Sequence, residues 1–176
     1  MTVLGRARDR DLPAHQRIHL PTTHIDQLAD KPRPVGLPLA GLHVLVVDDD
    51  PDARDLFRVV LVYYGAAASA VSTARAALDA LQRLHADVVL TAVVLGDSDD
   101  GIWLLRQAHS RWPELALIAI SGSEVRADVR TNLGFVKYLM KPTQPELLVD
   151  AILVAIAQAA RRASAAPQSL ALFQPR

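Results

Sequence analysis

Two adjacent carboxylates, one hydroxyl and one ammonium group are the side chains of this chain that could do chemistry together. Asp48 and Asp49 repel each other unless a cation lies between them, and hard oxygen ligands favour Mg²⁺ over softer metals. Lys141 carries a compact charge suited to a phosphate or to the acids themselves. Ser121, in a turn with Gly122, could donate a hydrogen bond to an anion. The set therefore predicts a site for magnesium and phosphate.

Each of these residues follows a predicted strand. Short apolar runs rich in β-branched residues predict strands that are buried on both faces. The predicted strands are His43–Val47, Ala67–Val71, Val88–Thr91, Leu115–Ile120 and Val136–Leu139. The carboxyl ends of parallel strands share one edge of a sheet, and ligands bind there. The residues expected to converge at that edge are Asp48, Asp49, Ala92, Ser121, Lys141 and Pro142.

Five predicted helices alternate with these strands, over residues 51–64, 74–84, 102–112, 125–132 and 143–160. Asp50 is a suitable N-cap, and Pro51 is suited to the first helical position. This alternation with short links predicts an α/β fold, a doubly wound five-stranded parallel sheet with five helices in three α/β/α layers. An alternative is that the acids after the first strand serve only to cap a helix, which would leave Lys141 and Pro142 unexplained.

The composition excludes several classes of protein. The chain has 176 residues, no cysteine and equal numbers of acidic and basic side chains, which excludes a disulfide scaffold and a cysteine-ligated metal site. A neutral chain argues against direct nucleic-acid binding. No apolar run is long enough to cross a membrane and no secretory signal is recognisable, so a cytoplasmic location is expected.

The charge divides the chain into three parts. Residues 1–39 hold six basic and four acidic side chains, residues 40–160 hold ten and fifteen, and residues 161–176 hold three arginines and no acid. We predict a disordered or extended segment over 1–39, a folded domain over 40–162 and a mobile tail over 163–176. Leu170, Leu172 and Phe173 in that tail could dock on the domain, at a place that the sequence does not indicate.

Four strand-end motifs in this order resemble the receiver domain of two-component response regulators. They are the run from Val44 into Asp48-Asp49-Asp50-Pro51, the run from Ala86 to Ala92 with Asp100-Gly101 downstream, Ile118 to Gly122, and Tyr138-Leu-Met-Lys141-Pro142. The resemblance covers residues 41–160 and implies a flavodoxin-like fold. It also implies a phosphorelay signalling module that receives a phosphoryl group from a histidine kinase and is not an enzyme.

The resemblance assigns roles to individual residues. Asp48 and Asp49 match the acidic pair that helps to hold Mg²⁺. Ser121 matches the hydroxyl that contacts the phosphoryl group, Lys141 the lysine that pairs with it, and Pro142 a proline that usually follows a cis peptide bond. Tyr138 matches the aromatic switch residue that turns inward on activation.

The chain departs from the family at the phosphoacceptor, where Ala92 stands in place of aspartate. A methyl group neither accepts a phosphoryl group nor ligates a metal, so any Mg²⁺ site is expected to be weakened. Lys141, without its partner on the third strand, is expected to pair with Asp48 or Asp49. The resulting hypothesis is a stand-alone pseudo-receiver that acts by protein–protein contact, without phosphorylation.

Alternative functions remain open from the sequence. Ala92 could be an engineered replacement in an ordinary receiver, and Asp97 in the following loop could be a substitute acceptor. A haloacid dehalogenase-type phosphatase is a remote alternative. A partner kinase, another signalling protein or a second copy could use the face of the fourth helix, fifth strand and fifth helix, which would offer Arg126, Arg130, Lys137 and Tyr138.

Overall fold

The computed structural model describes residues 36–96, 100–125, 127–133 and 136–165. Within these residues the chain forms five strands and five helices in strict alternation. The strands are β1 (His43–Val47), β2 (Ala67–Val71), β3 (Val88–Ala92), β4 (Ala116–Ser121) and β5 (Lys137–Met140). The helices are α1 (Pro51–Tyr63), α2 (Ala74–Leu81), α3 (Gly101–Arg111), α4 (Ala127–Asn132) and α5 (Pro145–Ala165).

All strand pairs are parallel, and the strand order is β2-β1-β3-β4-β5. The predicted doubly wound fold is therefore confirmed. The order reverses between β1 and β3, and this is the point where an α/β sheet opens a crevice for ligands. In the register of this pair Val47 lies beside Thr91. Asp48, the residue after β1, and Ala92, the last residue of β3, therefore lie at the same edge of the sheet.

Apolar cores lie on both faces of the sheet, because successive side chains of a strand point to opposite faces. The first core lies under α1 and α5 and contains Val44 and Val46 of β1. The second core lies under α2 and α3 and contains Leu45 and Val47 of the same strand. Burial on both faces explains why β1 has an unbroken apolar run.

Capping groups fix the start of α1 as the sequence predicted. Asp50 accepts a hydrogen bond at its side-chain oxygen from the amide of Asp52 at 3.0 Å, and Pro51 occupies the first turn. Gly65, which follows the end of this helix, has a φ of 97°, a conformation that glycine adopts without strain.

The predicted domain limits need two corrections. Leu39, placed in the disordered or extended segment, is fully buried in the first core, and its amide donates to the carbonyl of Tyr64 at 3.1 Å. A single leucine outside any periodic pattern gave no sign of this. At the other limit α5 continues to Ala165, so residues 163–165 belong to a helix rather than to the tail.

Helix lengths also differ from the predictions. α2 ends at Leu81, three residues before its predicted end, and α5 ends at Ala165, five residues after its predicted end. The other predicted helix and strand limits agree within two residues. Within the part of the chain that the structure describes, no helix is long and apolar enough to cross a membrane.

Candidate phosphorylation site

An ion pair occupies the carboxyl edge of the sheet. The Nζ of Lys141, after β5, donates to Oδ2 of Asp48, after β1. The side chain of Asp48 is only 3% exposed and that of Lys141 17%. Of the two partners that the sequence allowed for Lys141, the structure selects Asp48.

The other polar atoms of Asp48 are engaged as well. Its Oδ1 accepts from the amide of Asp50 at 3.1 Å, and its carbonyl accepts from Nη1 of Arg54 at 2.6 Å. The Nζ of Lys141 also lies 5.9 Å from the ring centre of Phe57, within the range of a cation–π contact. The buried carboxylate is therefore held by an ammonium group and by a backbone amide at the start of α1.

Asp49, the second acid after β1, lies beside the loop that follows β3. It is exposed, and its Oδ2 lies beside Gly96, only 2.8 Å from where a Cβ on that glycine would be. The two adjacent acids thus have different environments, although the sequence grouped them as one metal-binding pair. In the described part of the chain, no three acidic or histidine side chains are placed together to hold a metal ion.

The oxygen atoms at this edge of the sheet differ in how far they are already engaged. Both carboxylate oxygens of Asp48 already have hydrogen-bond donors, and Ala92 supplies no oxygen from its side chain. Mg²⁺ demands near-ideal octahedral oxygen coordination. Asp49, by contrast, has an exposed side chain at this edge.

Ala92 is the last residue of β3 and is 5% exposed. Its carbonyl accepts from the hydroxyl of Thr91 at 3.0 Å. A Cβ added to Gly101, the first residue of α3, would lie 1.8 Å from the same carbonyl oxygen. The start of α3 therefore packs directly on the end of β3, which requires glycine at position 101.

Ser121 and Pro142 lie where the sequence placed them. Ser121 ends β4 and is nearly buried. Its Oγ accepts from the amide of Ser123 at 3.3 Å, and its carbonyl accepts from the amide of Lys141 at 2.7 Å. The peptide bond between Lys141 and Pro142 is cis, as the family resemblance predicted.

Tyr138 lies on β5, and its ring packs against the second core. The hydroxyl oxygen is inaccessible to solvent. The aromatic side chain is thus turned toward the body of the domain.

Sequence reasoning missed the roles of Arg54 and Gly101. The spacing of six residues between Asp48 and Arg54 places a cation one turn into α1, and this was a usable signal. The Asp100-Gly101 pair was noticed as a motif, but the close approach that explains its glycine depends on how α3 packs. Asp97, the proposed substitute acceptor, and Arg126 lie outside the described residues, as does the side chain of Arg130.

The fold is that of solved receiver structures. The signal receiver domain of an HD domain-containing protein from Pseudomonas fluorescens superposes with a TM-score of 0.63 and 24% identity, over 68% of this chain and 98% of that one. A CheY-like receiver domain protein from Methanospirillum hungatei gives a TM-score of 0.63 and 25% identity, over 68% and 97% of the two chains.

Sequence relatives agree with this assignment. An uncharacterized 14.6 kDa protein of Leptolyngbya boryana is 36% identical over 116 residues, which are 63% of this chain and 87% of that protein. The transcriptional regulatory protein GltR of Pseudomonas aeruginosa is 32% identical, but this chain spans only 48% of its length. Residues 44–153 match the response regulator receiver domain, and the chain belongs to that family.

This assignment fixes the class of function. Receiver domains are modules of two-component signalling that interact with kinases and other signalling proteins, and they typically bind Mg²⁺ at their acidic site. Among the alternatives that the sequence left open, the family assignment favours a receiver over a haloacid dehalogenase-type phosphatase.

Proposed function

We propose that this chain is a phosphorylation-independent pseudo-receiver that signals by protein–protein contact. The observation that carries the proposal is the replacement of the acceptor by Ala92, together with the ion pair between Lys141 and Asp48. Phosphoryl transfer needs a nucleophilic oxygen at the end of β3, and a methyl group has none. It also needs a cation that is available to the transferred group, and here the lysine is bound to a buried carboxylate.

The electrostatics of the pocket support one fixed state. Breaking a buried ion pair strands a charge away from water, which costs about 3–5 kcal/mol. No phosphoryl group arrives to compensate that cost by taking over the lysine. The inward position of Tyr138 accords with a switch that is held in place rather than cycled. We therefore assign Lys141, Ser121 and Pro142 to a remnant of the phosphate pocket and Asp48 with Asp49 to a weakened Mg²⁺ site.

A contact surface for a partner follows from the exposed side chains of β5 and α5. Met140 at the end of β5 is 57% exposed and Leu147 in α5 is 54% exposed, so both could contact a partner. With Lys137 they form part of the face of the fourth helix, fifth strand and fifth helix. We propose that a signalling protein or a second copy of the chain binds here.

Spectral response to a phosphodonor tests the fixed state. Backbone amide spectra of the full chain should not change when acetyl phosphate and Mg²⁺ are added together. The Ala92→Asp variant, which restores the acceptor carboxylate, should show changes at Lys141 and Tyr138. The same response in the unsubstituted chain would refute a phosphorylation-independent state.

Sedimentation velocity tests the contact surface. If the full chain self-associates through this face, Met140→Glu should abolish the association. Val62→Glu is the matched control: Val62 is equally exposed but lies on α1, outside this face, so the association should persist. Association that is lost equally in both variants would place the surface elsewhere. A monomer at all concentrations would leave a partner protein, rather than a second copy, as the occupant.

The alternative of an ordinary receiver with an engineered alanine shares the same pocket. It is favoured if Ala92→Asp accepts phosphate efficiently and only then binds its partner. The pseudo-receiver is favoured if the partner binds equally well with alanine and with aspartate at this position.

A further inference from the structure

Helix α5 has unusually few charged residues for a helix at the surface of a domain. From residue 147 to residue 160 it contains one charged side chain, Asp150, and one other polar side chain, Gln158. A helix that is apolar on all sides is normally buried on all sides. α5 packs on the sheet with one side, so apolar residues on its other side are left in contact with water.

The buried and the exposed residues of α5 lie on opposite sides of the helix. The buried side belongs to the first core and consists of Leu148, Val149, Ala151, Ile152, Ala155 and Ala159. With 3.6 residues per turn, the opposite side carries six exposed residues, which we call the α5 stripe: Leu147, Asp150, Val154, Ala157, Arg161 and Ser164. Leu147 is 54% exposed and Val154 is 43% exposed. The stripe therefore offers apolar surface that faces directly away from the sheet.

The spacing within the α5 stripe points to the kind of partner that fits it. Successive members are three and four residues apart in alternation. This is the spacing of the a and d positions along which two helices pack side by side. The stripe is thus suited to a second helix rather than to an extended peptide.

The charges of the α5 stripe are complementary between two copies of the chain. Asp150 lies in the second turn of α5 and Arg161 lies near its end, and within the described residues neither takes part in an ion pair. An antiparallel pairing, with its two-fold axis midway between these residues, places Asp150 of each copy opposite Arg161 of the other. A parallel pairing would place like charges side by side, which is unfavourable.

The same two-fold axis also aligns the apolar residues of the α5 stripe. It places Val154 of one copy opposite Ala157 of the other, so that a larger and a smaller side chain meet on each side of the axis. Leu147 then lies opposite Ser164, at the two ends of the pairing. Because the interface is related by a two-fold axis, one stripe supplies both of its surfaces. Charged and apolar residues therefore agree on a single register.

We propose that two copies of this chain associate through an antiparallel pairing of their α5 stripes. The stripe is about 26 Å long, so we expect a reversible dimer that buries less than the about 1,600 Å² of a standard interface. Met140 lies outside the stripe, and its substitution separates this dimer from a contact through the face of β5. The inference goes beyond the proposed function and does not depend on whether the domain accepts a phosphoryl group.

Charge reversal tests the pairing in the full chain. Sedimentation velocity should show a dimer of the unsubstituted chain that dissociates on dilution. Asp150→Arg and Arg161→Asp should each weaken the association at least about tenfold, because each creates two pairs of like charges. Asp79→Arg on α2 and Arg106→Asp on α3 are the matched controls, since both residues are exposed on other helices and the net charge changes equally. Association should persist in both controls.

Combining the two reversals separates a lost contact from a misfolded variant. The double variant, Asp150→Arg with Arg161→Asp, has opposite charges in register again and should associate as the unsubstituted chain does. An equimolar mixture of the two single variants should form heterodimers, although each variant alone is a monomer. Single variants that associate as strongly as the unsubstituted chain would overturn the proposal. A mixture that stays monomeric would overturn it too.

The apolar centre of the α5 stripe gives a second test by the same measurement. Val154→Glu should abolish the association, because two carboxylates would then lie close to the two-fold axis, whereas Met140→Glu should leave it intact. Loss of association in Met140→Glu, or its retention in Val154→Glu, would assign the contact to another face and overturn the proposal. An unsubstituted chain that is monomeric at every concentration would also overturn it and would leave the stripe to a different protein.

Discussion

Removal of the lysine charge by Lys141→Met should strand the buried carboxylate of Asp48. Methionine keeps an unbranched side chain of similar length, so the packing against Phe57 is largely preserved. The carboxylate then keeps the amide of Asp50 at 3.1 Å but loses its cation. The guanidinium of Arg54 is bound to the backbone carbonyl of Asp48 and compensates only part of the loss.

The magnitude follows from the burial of the pair. Breaking a buried ion pair on one side costs about 3–5 kcal/mol, and the 17% exposure of Lys141 places this pair near the lower end. We expect the free energy of unfolding to fall by about 3 kcal/mol. For a domain of this size that corresponds to a decrease in Tm of roughly 10 °C.

Urea denaturation at low salt, followed by circular dichroism, measures this loss without the screening that guanidinium introduces. The double variant Asp48→Asn with Lys141→Met removes both charges, and it should recover at least about 1 kcal/mol relative to Lys141→Met, because no buried charge is left unpaired. Lys137→Met, on the strand β5 that precedes Lys141, is the control and should change stability by less than about 0.5 kcal/mol. A loss below about 1 kcal/mol for Lys141→Met, or a double variant as unstable as the single one, would refute this reasoning.

Three further predictions follow from the site and its surroundings. In thermal melts, Gly101→Ala should lower the free energy of unfolding by about 2–3 kcal/mol, because its Cβ would meet the carbonyl of Ala92. Gly122→Ala is the control and should be nearly neutral, because a Cβ there meets no atom within 4 Å. Ala92→Asp should destabilise the metal-free domain, because it adds a carboxylate beside the acids. In thermal melts with and without the ion, Mg²⁺ at a hundred times its Kd should restore about 2.7 kcal/mol to the free energy of unfolding. An equal response to Mg²⁺ in the variant and in the unsubstituted chain would contradict this. Burial and Arg162 lower the pKa of His109 below 6.5, so the unfolded state binds the proton more readily than the folded state. The free energy of unfolding should therefore fall as the pH decreases from 7 through 6.5 toward the folded pKa. His109→Gln should flatten this decrease in urea titrations across that range, and an unchanged slope would exclude His109 as its source.

The fold was predictable because each strand carries its own signal. The run through Val44 to Val47 is apolar at every position, which indicates burial on both faces, and Asp50 with Pro51 marks the helix that must follow. Short links then leave few topologies other than the one observed. The cleft lined by Leu84 and Ile156 at the amino edge of the sheet was not predictable, because the loop after α2 and helix α5 are placed relative to each other only by packing on the sheet.

The site was predictable in its membership more than in its contacts. Strand ends place Asp48, Ser121 and Lys141 at one edge, and the missing acid at Ala92 is visible in the sequence. Charge alone does not predict whether Lys141 forms its ion pair with Asp48 or with Asp49. Burial decides it, since Asp48 is buried and Asp49 turns to the solvent beside Gly96. Residue type therefore fixed the chemistry available, and packing fixed the pairing.

Reaction with acetyl phosphate and Mg²⁺, followed by intact mass spectrometry, tests the central claim most directly. The full chain should gain no phosphoryl group, because Ala92 offers no acceptor and Lys141 is held by Asp48. Ala92→Asp, treated in parallel, should gain one and should thereby show that the remaining pocket is competent. A phosphoryl group on the unsubstituted chain, at Asp97 or at any other aspartate, would contradict the account.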